Sequence, residues 1–267
     1  MKTLQEGASG PEVAALQTKL RERGFPPGAI DGDFGPGTQA AVLAFQKSEG
    51  LLADGAVGPE TAAALGIDVG DMAVPGMPVV TVAIVAKMFP ATPLDDIERN
   101  LPPVLRALDE RSLDSVTIVA AALATIRAET EGFVPISELV SRFNTSPGGH
   151  PFDLYDNRKD LGNRGPTDGS AFKGRGYIQL TGRANYEKYG PLAGIPDLVG
   201  QPDKANDPEV AGRLLAAFIA SKETAIEQAL LEDDLAAARR LVNGGTNGLD
   251  RFSAAYRIGL SLIQVKA

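Results

Sequence analysis

The sequence predicts a mainly α-helical protein, with a small three-helix repeat domain followed by a larger α domain that carries a small β element. Two observations predict this class. Apolar residues recur at helical spacing through most of the chain, and alternation of polar and apolar residues stands out in one short stretch, GYIQLTG. The length of 267 residues allows one large or two smaller domains. We expect a first domain at residues 1–66, a linker at 67–80 and a second domain at 81–267.

Composition and charge argue against several classes of function. The formal net charge is −8, whereas a nucleic-acid partner requires clusters of Lys and Arg, so we expect no nucleic acid to bind. Cysteine is absent, which excludes disulfides and thiol chemistry. The single histidine, His150, nearly excludes a zinc hydrolase, whose site takes two or three His or Cys ligands, and weakens a Ser-His-Asp interpretation. We therefore expect no metal and no other cofactor, and a loop position for His150.

A repeated motif defines the first domain. The stretch DGDFGPGTQAAV at residues 31–42 recurs as DGAVGPETAAAL at residues 54–65. In each copy Asp-Gly predicts a turn, the Phe or Val that follows enters the core, and Gly-Pro begins a helix. A third helix is predicted upstream, because Val13, Leu16 and Leu20 follow helical spacing before a glycine that can end the helix.

These motifs, with the Leu-Gln pair at residues 16–17 and the Phe-Gln pair at 45–46, resemble the peptidoglycan-binding domain found at the ends of many cell-wall hydrolases. The resemblance covers about residues 4–66. It implies that this domain holds the protein on bacterial peptidoglycan. A helical repeat without any ligand is the alternative interpretation. The stretch that follows, GIDVGDMAVPGMPVV, loses periodicity and gains Gly and Pro, which is typical of a linker.

Signals for export or membrane insertion are missing from the sequence. The N-terminal stretch MKTLQEGASGPEV lacks the apolar segment of a signal peptide. The most apolar run, VPGMPVVTVAIVAKMFP, contains several prolines and is too short to span a bilayer as a helix. We therefore expect no signal peptide, synthesis in the cytoplasm and no stable membrane insertion.

Helical patterns dominate the second domain. LDDIERNLPPVLRALDERSL predicts two helices, with Pro102 and Pro103 in the first turn of the second one. DSVTIVAAALATIRAETEG predicts a longer helix with an apolar stripe, capped by Asp114 or Ser115. The Gly and Pro that follow this helix end it.

A long loop and one short strand interrupt the helices. Residues 141–176 are polar and rich in Gly and Pro, and so long a segment without periodicity is either functional or disordered. Its aromatic residues favour an ordered, functional loop. GYIQLTG then predicts a strand that presents Tyr177, Gln179 and Thr181 to a cleft and its apolar residues to the core. Because it faces this cleft, Tyr177 is a candidate sugar contact.

Three glutamates lie around the end of the long helix. Hydrolysis of a glycoside needs one protonated carboxyl group to donate to the leaving oxygen and one ionised group to activate water or attack carbon. Glu129 suits the acid, because apolar neighbours and the C-terminal end of the helix both disfavour its anion. Glu131 lies on the other shoulder of the same stripe, and the pattern does not choose between the two. The break at residues 132–135 lets Glu138 face the same cleft.

The segments AETEGF, GRGYIQLTGRANY and VNGG resemble glycoside hydrolase family 19, the chitinase-like enzymes, in the branch used by bacteriophage endolysins, over roughly residues 82–262. The resemblance implies that Glu129 is the general acid, that Glu138 is the second carboxylate and that Thr181 helps to hold the water. It also implies an inverting reaction, for which the two carboxyl groups are about 6.5–9.5 Å apart. Family members often have a histidine before the acid, where this chain has Ala128. The positions that match sugar contacts are Gln179, Asn185, Tyr186 and Asn243.

The sequence as a whole predicts a modular peptidoglycan hydrolase with a lysozyme-like catalytic domain. The specific hypothesis is a monomeric bacteriophage endolysin that cuts the β-1,4 bond between N-acetylmuramic acid and N-acetylglucosamine. It would stay in the host cytoplasm until lysis and then reach the periplasm and cell wall. Three alternatives remain open: a chitinase acting on N-acetylglucosamine polymers, a peptidase or amidase, and a wall-binding protein without catalytic activity.

Overall fold

The computed structural model describes residues 4–67, 77–130 and 132–264. The chain divides into two compact units, residues 1–75 and 76–267. The described residues form twelve α-helices, three short 3₁₀ turns and one sheet of two short strands. The predicted mainly α fold with a small β element is thereby confirmed. Within the described segments no helix is both long and apolar enough to cross a membrane.

The first unit contains three helices in its described part: α1 (Pro11–Glu22), α2 (Pro36–Ser48) and α3 (Pro59–Leu65). Each helix begins with a proline that follows a glycine, because proline needs no N–H partner in the first turn. The helices enclose one apolar core, whose buried members include Leu16, Leu20, Phe34, Val42, Phe45 and Val57. Most of the predicted linker, residues 68–76, lies outside the described residues.

A buried glutamine fixes the first copy of the repeated motif. Gln17 Nε2 donates to Asp31 Oδ1 at 2.9 Å, to Asp33 O at 3.0 Å and to Thr38 Oγ1 at 3.1 Å. Gln17 Oε1 accepts from the backbone N–H groups of Asp31 and Gly32. One side chain therefore ties helix α1 to the Asp-Gly turn and to the start of α2.

The second copy of the motif uses Gln46 in the same way. Its Nε2 donates to Asp54 Oδ1 at 2.9 Å, to Ala56 O at 2.8 Å and to Thr61 Oγ1 at 3.1 Å. Its Oε1 accepts from the N–H of Gly55 at 2.9 Å. The polar residues that make the repeat recognisable are thus hydrogen-bonded to one another inside the fold.

Gln46→Leu is expected to lower the free energy of unfolding of the first unit by about 2–4 kcal/mol, because it leaves the buried N–H of Gly55 and the hydroxyl of Thr61 without Gln46 as their partner. Gln5→Leu is the matched control, since Gln5 is exposed. All five tyrosines lie in the second unit. Denaturation followed by circular dichroism should show an earlier helical transition in Gln46→Leu, while the tyrosine fluorescence transition stays in place. Equal stability of the two variants would contradict the structural role of Gln46.

The second unit is built around helix α6. Residues on every side of this helix are buried, and Ser115 Oγ caps its start by accepting from the N–H of Ile118. Helix α12 packs along α6, and α5 packs against α9. The helices of this unit are α4 (Val82–Met88), α5 (Leu94–Asp109), α6 (Val116–Thr130), α7 (Asp168–Ala171), α8 (Arg183–Leu192), α9 (Pro208–Ala220), α10 (Glu223–Leu231), α11 (Leu235–Asn243) and α12 (Leu249–Leu262).

The predicted break at Pro102 and Pro103 is wrong, because both prolines lie inside the continuous helix α5. Proline has no N–H group, so each of the two prolines leaves the carbonyl four residues earlier without its helical donor. Those carbonyls are on Glu98 and Arg99, both exposed, so water can replace the missing donors. The apolar face of α5 packs on α9 and stabilises the helix against the local propensity.

The β element is shorter than predicted and lies earlier in the chain. Strand β1 (Ile136–Ser137) pairs antiparallel with β2 (Arg175–Gly176). The chain then turns at residues 177–179 and returns to form a bridge between Arg175 and Leu180. The predicted alternating strand over GYIQLTG is therefore wrong. The chain turns here because Gly176 has a positive φ, which ends the extended strand. A side chain does not fit at this position, since an added Cβ would lie 2.7 Å from Ala205 O.

Candidate active site

Glu129 lies in the last turn of helix α6, and 12% of its side-chain surface is exposed. Its Oε1 is 2.7 Å from Nη2 of Arg239, whose own side chain is 1% exposed. Burial raises the pKa of the Glu129 carboxyl, and the positive charges of Arg239 and Arg251 offset part of that rise. The carboxyl is therefore easier to protonate than a solvated glutamate, although an arginine contacts it.

Glu138 follows strand β1 and is half-buried. Its backbone N–H donates to Gly174 O at 2.7 Å, which extends the pairing of β1 with β2. Its side chain accepts three hydrogen bonds. Asn144 Nδ2 and the Tyr155 hydroxyl donate to Oε1 at 2.9 and 2.8 Å, and the N–H of Gly174 donates to Oε2 at 3.1 Å. Both carboxylate oxygens thus have fixed partners, so the group has a defined orientation.

The long loop supplies all three of those partners. Residues 141–176 contain two 3₁₀ turns and helix α7, and Phe152 and Phe172 anchor the loop in buried positions. Burial and the hydrogen bond to Glu138 raise the pKa of Tyr155 to about 12. Tyr155 therefore remains a neutral hydroxyl that donates to Glu138 across the physiological pH range.

Thr181 and Gln179 gather with Glu138 around Gly174. A Cβ added at Gly174 would lie 2.9 Å from Gln179 Oε1, 3.1 Å from Thr181 Oγ1 and 3.3 Å from Glu138 Cβ. A side chain at position 174 would crowd all three, so glycine lets these side chains lie close to its backbone. Thr181 Oγ1 donates to Gln179 O at 2.9 Å, which leaves its oxygen lone pairs as acceptors. Asn185 Nδ2 donates to Thr181 O at 2.8 Å and supports the same turn.

Two of the predicted sugar contacts lie in the protein interior. Tyr177 has no exposed surface, and its hydroxyl donates to Asn100 Oδ1 at 3.3 Å. Tyr186 also has no exposed surface, and its hydroxyl donates to Lys173 O at 3.0 Å. A fully buried ring presents no surface to a ligand, so these two predicted contacts are corrected to structural positions. The turn at residues 177–179 sends Tyr177 inward, and Tyr186 lies on the buried side of helix α8.

Two further predicted positions have no described side chain. Helix α11 ends at Asn243, and Gly244 follows in a left-handed conformation, but the Asn243 side chain is not among those described. Glu131, the alternative acid, is likewise not described. His150 is exposed in the loop and contacts Asp156 at 3.0 Å.

Three partners of the carboxyl groups were missed by the sequence-based reasoning. Asn144 and Tyr155 lie in a loop whose folding follows no periodic pattern, and no sequence signal points to their role. Arg239 did carry a signal, because it lies on the apolar stripe of α11 between Leu235 and Val242, where a charge is unexpected.

A family model matches most of the first unit. Residues 9–65 match the family model described as "Putative peptidoglycan binding domain". A 63-residue region is 52% identical to the zinc D-Ala-D-Ala carboxypeptidase of Streptomyces albus G, and it makes up 22% of this chain and 24% of that protein. The first curated relatives are matched over only 13% to 24% of their own lengths.

Solved structures share a weaker likeness with most of the chain. Chitinase C from Streptomyces griseus HUT6037 is 20% identical, with a TM-score of 0.47 over 70% of this chain and 79% of that one. The Burkholderia AP3 phage endolysin is 20% identical, with a TM-score of 0.30 over 96% of this chain and 98% of that one. Likeness at this level carries no argument about activity.

Proposed function

We propose that this protein is a peptidoglycan hydrolase that cuts the glycan strand by acid and base catalysis. The single observation that carries the proposal is a pair of carboxyl groups in contrasting surroundings. The Glu129 side chain is only 12% exposed and burial raises its pKa, whereas Glu138 accepts three hydrogen bonds beside Thr181. Two carboxyl groups with different surroundings are what an acid and a base need in glycoside hydrolysis.

The roles follow from the two environments. Glu129 donates its proton to the bridging oxygen of the glycosidic bond. Glu138, as the acceptor-only group, takes a proton from water, and the Thr181 oxygen accepts the water's other O–H. Attack by this water on the opposite face of the sugar inverts the anomeric carbon. A product that retains the anomeric configuration in proton NMR would contradict this course.

The first unit supports the choice of polymer. Its family description names peptidoglycan binding, and its matched relative from Streptomyces albus G is named as a carboxypeptidase for D-Ala-D-Ala. We infer that the first unit holds the second on the wall. The bond that fits best is the β-1,4 linkage between N-acetylmuramic acid and N-acetylglucosamine, as in a muramidase. The finer proposal of an endolysin, which acts from the host cytoplasm on the wall at lysis, rests on the sequence resemblance.

Purified sacculi digested with the protein test the proposal. After borohydride reduction, mass spectrometry should find fragments that end in reduced N-acetylmuramic acid, with the peptide stems still attached. Reduced N-acetylglucosamine ends would indicate the other glycosidic bond, and free peptide stems would indicate an amidase. Chitin oligomers incubated in parallel test the alternative polymer, and faster turnover of chitin than of sacculi would favour a chitinase.

A further inference from the structure

The buried arginine beside Glu129 is unusual for its position. Arg239 is 1% exposed and lies on the same face of α11 as the buried residues Leu235, Ala238 and Val242. Its neighbour Arg240, one position along, has 52% of its side chain exposed. A charge is costly in such an interior unless it is paired and hydrogen-bonded. Its partners therefore show what holds it there.

Arg239 joins the end of α6 to the loop between α11 and α12. Its Nε and Nη2 both donate to Asn247 O, at 2.8 and 2.7 Å, and Nη2 also contacts Glu129 Oε1 at 2.7 Å. Its Nη1 is buried and has no hydrogen-bond partner within the described residues. An unsatisfied buried N–H costs free energy, so this arrangement is poorly suited to stability alone.

Small residues allow the loop to approach the helix. Gly248 has φ +73, and a Cβ added there would lie 3.2 Å from Ala128 O, 3.3 Å from Ala128 Cβ and 3.5 Å from Arg239 Nη2. The close approach places the carbonyl of Asn247 where the guanidinium can reach it together with Glu129. The hydrogen bonds to the Asn247 carbonyl therefore fix the orientation of the guanidinium group that contacts Glu129.

We propose that Arg239 is a positioning residue for the reaction, which holds the Glu129 carboxyl by Oε1 and so fixes the oxygen that delivers the proton. While Oε1 accepts from the guanidinium, the proton of the acid form resides on Oε2. This inference rests on the proposed function, because it assigns a partner to the proposed acid. Arg239 from α11 and Arg251 from α12 are the charged groups that lower the pKa of Glu129 against its burial.

Substitutions of Arg239 test the proposal through kcat and the pH profile together. Activity requires a protonated Glu129, so kcat/KM falls as pH rises through its pKa. Arg239→Gln removes a charge that lowers this pKa, so the alkaline limb should move to higher pH while kcat falls about tenfold or more. Arg239→Lys keeps the charge but loses the planar fork, so kcat should fall similarly with the limb near its original pH. Arg240→Met is the matched control and should change neither quantity.

Each result has one interpretation. If kcat of Arg239→Gln falls while the alkaline limb stays in place, Arg239 has a structural role only. This result would overturn the proposal. If Arg239→Gln does not fold, Arg239→Lys decides, and a kcat within about twofold of the parent would overturn the proposal. Glu129→Gln separates a failure of the proposed function from a failure of the inference about Arg239. An active Glu129→Gln removes the proposed acid itself, whereas an inactive Glu129→Gln with unaffected Arg239 variants removes only this inference.

Discussion

Glu129→Gln is expected to reduce lysis of sacculi by about 10²–10⁴-fold, because the amide has no proton to give to the leaving oxygen. The amide oxygen can still accept from Arg239 Nη2, so the local geometry and the fold should survive. Turbidity loss of a sacculus suspension measures the activity. Sedimentation of the protein with sacculi measures binding, which we expect to be unchanged if the first unit holds the wall.

Glu98→Gln is the matched control for this experiment. It makes the same chemical change at an exposed position of helix α5 in the same unit. Tyrosine fluorescence at the assay temperature shows whether each variant is folded, since every tyrosine lies in the second unit. Lysis by Glu129→Gln at a rate within about tenfold of the parent would reject Glu129 as the acid.

Glu138→Gln should cause a second large loss, of about 10²-fold or more. The carboxylate accepts from donors at both oxygens, from Asn144 and Tyr155 at Oε1 and from the N–H of Gly174 at Oε2. A glutamine offers only one oxygen, so its NH₂ group must face a donor in either orientation. The substitution therefore removes the base and also disturbs its orientation.

The same kinetic assay checks this expectation, again beside Glu98→Gln. Formate added to Glu138→Ala offers a further readout, because the shorter side chain leaves room for a small carboxylate in place of the missing base. Full activity of Glu138→Gln would assign the water-activating role to another group. A stable protein with partial recovery by the added anion would support the role proposed for Glu138.

Local patterns in the sequence predicted the parts of the molecule that local physics determines. The Gly-Pro starts of α2 and α3, the cap of α6 at Ser115 and the buried stripe of that helix all depend on residues a few positions apart. For the same reason the mainly α class could be predicted. The prolines in α5 show the limit, because packing against α9, more than a hundred residues away, stabilises a helix that local propensity disfavours.

The candidate site depends on contacts between distant parts of the chain, so only half of it could be predicted. The glutamates, Gln179 and Thr181 could be named from motifs. Their partners Asn144, Tyr155 and Arg239 lie in a loop and a helix whose placement no periodicity encodes. Tyr177 was assigned to the cleft because alternation predicts a strand, and the positive φ of Gly176 replaces that strand with a turn. Tyr186 was assigned by family resemblance alone, and it lies buried in helix α8.

The paired glutamines of the first unit change how its ligand contacts should be sought. Gln17 and Gln46 form hydrogen bonds with the aspartates and threonines of the two turns. These polar groups are therefore already paired within the fold. Alanine scanning at these motif positions will report on folding, however strongly it weakens wall attachment. A search for the residues that touch glycan or peptide should begin instead at outward-facing side chains such as Ile30 and Leu52, which can be replaced without dismantling the motif.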